Sequence, residues 1–134
     1  MRKAALFHIH YLFLYYMEIP FHYENRSIHL TLDVLASDQI SSISSWISHL
    51  DTAHPDSTHQ ININASHPLL SNIIYVLTYC IPHYDTLHYV RIYQKGKHYL
   101  TPALQHSLLS AIRSHPYGEN ITLQVDIDGK HSYY

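Results

Sequence analysis

The 134-residue chain predicts an α/β fold of repeated strand-helix units in two layers, with helices on one face of a largely parallel sheet and the other face exposed. Three observations lead there. Four stretches alternate apolar and polar residues, at 28–34, 60–65, 90–93 and 121–127, and Leu30, Ile61, Val90 and Ile121 within them are separated by steps of 31, 29 and 31 residues. The apolar residues of the intervening segments recur at helical spacing and keep the same interval, with Ile43, Ile74 and Leu104 separated by 31 and 30. Strands joined by helical crossovers must be parallel. Strict alternation gives each strand one apolar and one polar row, so the helices belong on one side of the sheet and the other side meets solvent or a partner.

Residues 1–20 read as an N-terminal apolar strand or capping segment and residues 21–134 as a single α/β repeat domain. Arg2 and Lys3 precede an aromatic and apolar run ending at Tyr16, a charged start and apolar middle like those of a signal peptide. Two histidines, His8 and His10, interrupt the run, no small-residue cleavage site follows, and the stretch is too short to span a bilayer. A strand that joins the sheet edge or caps the open core suits this composition. An interfacial or signal segment, or an extension outside the folded domain with Met17 as the effective start, are the alternatives. After Pro20, Phe21 to Arg26 reads as the connection into the first repeat strand.

The first helix is expected to start at an Asp38 cap and to bury Ile40, Ile43, Trp46, Ile47 and Leu50. Ser66 or His67 opens the second, with Pro68 in its first turn, Leu69, Ile73, Leu77 and Cys80 or Ile81 inward, and Pro82 at its end. Thr101 and Pro102 open the third, whose stripe is Leu104, Leu108, Ala111 and Ile112; Pro116 and Gly118 terminate it.

Charged residues make up only 13% of the chain, about half the usual share, so solubility rests on His, Tyr, Ser, Asn and Gln. A net charge of −2 gives no bias toward nucleic acid or an anionic membrane, and neither is expected as a partner. The single cysteine, Cys80, sits among apolar residues with no cation nearby, which predicts a buried, inert thiol. One cysteine points to a reducing, cytoplasmic compartment, with secretion left open. Fourteen histidines would carry the formal charge from −2 to +12 if all were protonated.

The third unit, Leu87-His88-Tyr89-Val90-Arg91-Ile92, has the L-x-x-L-x-L spacing of the leucine-rich repeat, and Leu100, Ala103, Leu104, Leu108, Leu109 and Ile112 follow it in a helical pattern. In this respect residues 27–128 resemble the longer form of that family, with a full helix in each unit. Where the family carries an asparagine after the strand, this chain has Ser66 and Lys95. The resemblance implies strands in sequential order. A compact two-layer α/β domain with another strand order meets the same periodicities.

No catalytic motif stands out. There is no G-x-S-x-G elbow, and three glycines leave no phosphate-cradling loop. The pairs His8/His10, His54/His59 and His83/His88 lack a Cys or carboxylate set at ligand spacing, so no metal or cofactor is expected. Asp33, Asp126 and Asp128 with His29 could serve proton transfer, or could be an ordinary wetted face. The polar rows instead define a partner-binding surface of Thr31, Asp33, Asn62, Asn64, Tyr89, Arg91, Tyr93, Thr122, Gln124 and Asp126. Tyr and Arg are enriched at interfaces, and here an arginine stands between two tyrosines. The functional expectation is a non-catalytic module that binds an unknown protein partner through this face. The alternative is a small enzyme or ligand-binding domain with its site at the carboxyl ends of the strands, near Asp33, Ser66, Gln94 and Asp128. A homo-oligomer built through the tyrosine-rich face or the N-terminal strand is a third possibility.

Overall fold

A computed structural model describes residues 19–134, so the strand or cap expected before residue 19 lies outside the described residues. Six strands form one sheet in the order of the chain: β1 (Phe21–Glu24), β2 (Ser27–Leu32), β3 (Thr58–Asn64), β4 (Leu87–Tyr93), β5 (Thr122–Ile127) and β6 (Lys130–Tyr133). The four inner strands run parallel, joined in succession by three helical crossovers. Crossovers of one hand between sequential parallel strands bring the helices to the same side.

Both edges depart from the expected parallel sheet. β1 pairs antiparallel with β2, and β6 antiparallel with β5, so the sheet is mixed. The cause is local: Asn25 and Arg26 have φ of 49° and 65°, and Asp128 and Gly129 have φ of 53° and 75°. Positive φ at both central residues makes the two-residue hairpin turn whose twist matches that of paired strands. Hence the supposed connection 21–26 is a strand and its turn, and the last residues return along β5. Asp128 therefore lies in a turn rather than on the face of the last strand.

Register holds for three strands and shifts at the fourth. Leu30 pairs with Ile61 and Ile61 with Val90, as the spacing predicts, but Val90 pairs with Leu123 rather than Ile121. A slip of two residues keeps every side chain on its expected face.

The first helix is divided into α1 (Ser37–Ile40) and α2 (Ile43–Ala53), and its start is closed by the Gln39 side chain, which accepts the Ala36 N–H at 2.8 Å, not by Asp38. α3 spans Leu70–Cys80, and Pro82 lies in the 3-10 turn that ends it. α4 (Pro102–Arg113) begins as expected, with Thr101 Oγ1 accepting the Leu104 N–H at 3.2 Å. The apolar strand rows meet Ile43, Trp46, Ile47, Leu50, Ile73, Ile74, Leu77, Leu108 and Ile112 in one core. Cys80 is buried, as expected, and burial raises its thiol pKa despite a hydrogen bond with Ser44.

Three histidines are buried rather than scattered on the surface: His59, His67 and His115. His67 and His115 act alike. The His67 Nδ1 accepts the Leu69 N–H at 3.0 Å, and its Nε2 lies 3.0 Å from the Leu35 carbonyl and 3.1 Å from the Leu35 amide. A neutral imidazole has one acceptor nitrogen; with Nδ1 accepting, Nε2–H donates to the Leu35 carbonyl. His115 repeats this with the Tyr117 N–H at 3.0 Å and the Tyr84 carbonyl at 2.8 Å. Each ring thus ties the loop at one end of a helix to the preceding strand-helix unit. Asp51 does the same on another edge, receiving the amides of Asp85 and Thr86 and the Thr86 hydroxyl.

Candidate functional site: the open face of the sheet

Alternation places the polar rows opposite the helices, and parallel register aligns them into ranks across the sheet. One rank runs His22, His29, Gln60, Tyr89 and Thr122, and the next Thr31, Asn62, Arg91, Gln124 and Tyr133. The third is Asn64, Tyr93, Asp126 and His131, with Asp33 joined to Asn64 by a hydrogen bond of 2.8 Å. The ten residues expected to form the binding surface lie on this side of the sheet, with Asn62, Asn64 and Asp126 buried beneath their neighbours. Gln60, Lys95, His131 and Tyr133 belong to it as well. Three of these were missed because Lys95 follows the end of its strand and the other two sit on β6, the hairpin return; Gln60 lay within an alternating stretch and could have been found.

Asp126 is the hub. Arg91 Nε donates to its Oδ2 at 2.7 Å, Gln124 Nε2 lies 2.9 and 3.0 Å from its two oxygens, and His131 Nδ1 is 2.5 Å from Oδ1. Burial acts to raise this carboxyl, and the hydrogen bonds from Arg91, Gln124 and His131 outweigh it, leaving the pKa below the ordinary carboxylate value. The Arg91 guanidinium carbon stands 5.0 Å from the centre of the Tyr93 ring, and Lys95 Nζ stands 5.6 Å from it. Lys95 also meets Asp33 Oδ2 at 2.6 Å. Tyr89 donates to Gln124 Oε1 at 2.5 Å. Burial raises both phenols above their ordinary value, followed by Tyr133 and then Asp126 for Tyr89 and by Asp33 for Tyr93, so both keep their protons and present hydroxyl tips.

The arrangement does not bring Asp33, Asp126, Asp128 and His29 together. Asp33 and Asp126 are three strand spacings apart, about 14 Å, with Asn64 and Tyr93 between them. At the carboxyl ends of the strands, the Ser66 hydroxyl accepts the Lys95 N–H at 3.1 Å and Gln94 Oε1 accepts the Asp128 N–H at 2.8 Å. These side chains link one turn to the next. Asp33 and Ser66 line an open depression of about 430 Å³, while Asp128 lines a separate groove of about 630 Å³ with His98, Gln105 and Lys130. The four residues of the alternative site do not converge on one cavity.

One corner differs from the expectation of no metal ligands. His22, Glu24 and His29 face one another across the β1–β2 hairpin, the two rings stacked with centroids 4.8 Å apart. Burial, together with the neighbouring His22, lowers the His29 pKa. Among the described residues no helix is long and apolar enough to cross a membrane. Comparison of the chain with protein-family models, curated proteins and solved structures gives no match.

Proposed function

We propose that the protein is a non-catalytic interaction module that binds a protein partner through the open sheet face, with Arg91, Tyr89 and Tyr93 as central anchors. The observation that carries this reading is the fixed position of Arg91, clamped by Asp126 at 2.7 Å on one side and lying over the Tyr93 ring on the other. An anchor held in place before binding loses little side-chain entropy on docking. The guanidinium keeps donors beyond the one used by Asp126, and 41% of the Arg91 side chain remains exposed for a partner's carboxylate or carbonyl groups. Sequential strand order, with a helix between successive parallel strands, supports reading residues 27–128 as strand-helix repeats resembling the leucine-rich repeat. Such repeats present their sheet as an extended binding surface.

The test compares wild type, Tyr93→Ala, Arg91→Glu and the helix-side variant Tyr75→Ala as immobilised bait in cell extract, after their urea midpoints have been measured. A partner kept by wild type and Tyr75→Ala but lost from both face variants is the expected outcome. Equal retention by all four, or loss from Tyr75→Ala alone, overturns the reading.

A further inference from the structure

We infer that the β1–β2 hairpin carries a zinc-binding site formed by His22, Glu24 and His29, at the β1 edge of the open sheet face. Hairpin geometry builds the site. The two positive-φ residues of the Asn25–Arg26 turn set the antiparallel register in which His22 lies directly opposite His29. Directly opposed residues have Cβ atoms about 5 Å apart. Glu24 follows His22 by two positions and therefore projects from the same face. It lies 3.3 Å from the His22 Nε2.

One ligand atom from each of the three residues falls within 4.8 Å of the other two. Around a tetrahedral zinc ion with bonds of about 2.1 Å, neighbouring ligand atoms stand about 3.4 Å apart. The remaining closure is small. The His22 and Glu24 side chains are more than half exposed, which leaves them room to turn toward the ion. Two imidazoles and a carboxylate are a donor set suited to zinc, and they leave the fourth position for water or another ligand. The His29 Nδ1 lies 3.4 Å from the Asn62 Nδ2, whose amide oxygen is held by Gln60 Nε2 at 2.7 Å.

Fourteen histidines guarantee some weak binding, so the experiment must locate the strong site. Zinc chloride is titrated calorimetrically into wild type, His22→Ala, Glu24→Gln, His29→Ala and the exposed control His106→Ala, with histidine ring signals followed by NMR in the wild type. The expected result is one saturable equivalent in wild type and His106→Ala, lost in both hairpin histidine variants and weakened at least about tenfold in Glu24→Gln, the scale on which supporting groups of metal sites count. The His22 and His29 ring signals should shift before the others. No saturable equivalent in wild type, or one that survives His22→Ala or His29→Ala, overturns the site. So does a first equivalent that moves other histidine signals first, a readout that does not depend on how well a variant folds.

Discussion

Replacing His67 with leucine tests whether the buried histidines hold adjacent units together. Leucine keeps most of the buried volume and removes both hydrogen-bonding nitrogens. Two backbone groups then lose a partner: the Leu35 carbonyl, which received the Nε2–H at 3.0 Å, and the Leu69 amide, which donated to Nδ1 at 3.0 Å. A buried group left without a partner costs about 1–3 kcal/mol, so the pair amounts to roughly 2–6 kcal/mol. Leu69 is only partly buried, which places the expectation toward the lower half of that range. His115→Leu provides an internal comparison, because the Tyr84 carbonyl keeps the Leu87 amide at 3.1 Å when the ring is removed. Only the Tyr117 amide is stripped, and the expected cost is about 1–2 kcal/mol. Urea unfolding followed by circular dichroism reads both values, with an unchanged m-value required for the comparison. His67→Leu within about 0.5 kcal/mol of wild type, the range of ordinary surface substitutions, would refute the reasoning. A larger loss in His115→Leu than in His67→Leu would refute the account of the spare carbonyl bond.

Gly118→Ala should lower stability by about 1–3 kcal/mol, because a Cβ there would stand 2.4 Å from the Ile112 carbonyl oxygen and 3.0 Å from Arg113 Cα, both backbone; an unchanged urea midpoint would contradict this. Arg91→Ala should cost about 1 kcal/mol, since Asp126 keeps Gln124 and His131 and the half-exposed guanidinium is partly screened; thermal melts that match wild type would show the clamp to be idle. Burial lowers the His59 pKa from its ordinary 6.5, so the unfolded chain takes up this proton first. Its contribution to stability is therefore complete above pH 6.5 and is lost as pH falls below that value, and His59→Gln should flatten that part of the stability profile relative to wild type. An identical slope in the variant would assign the acid loss to other groups.

Much of the fold was legible in the chain because period and face follow from local geometry. A two-residue alternation places Ile28, Leu30 and Leu32 inward and His29 and Thr31 outward whatever the strand pairs with, and the interval near 30 residues carries the helices along. For the same reason the polar rows of the parallel strands lie together on the side away from the helices, where Asn62, Asn64 and Asp126 are buried by their neighbours. Other features depended on partners distant in sequence. His67 gives no sign in the chain that it will be buried, since Leu35, which receives its proton, lies 32 residues earlier. Asp126 reads as one acid among several until Arg91, 35 residues before it, is brought within 2.7 Å.

The hairpins lie between these cases. Asp128-Gly129 is a strong turn signal and could have revealed β6, whereas Asn25-Arg26 is a weak one, because arginine seldom adopts positive φ. With that turn unread, His22 and His29 were separate residues seven apart instead of a facing pair. By itself the sequence determined which residues turn inward, where strands and helices alternate, and that one polar face would remain, because these depend on side-chain period alone. Only the tertiary structure decided strand direction at the edges, the two-residue slip of the last parallel pair, and which polar groups meet, because those are set by backbone turns and by pairing between distant segments.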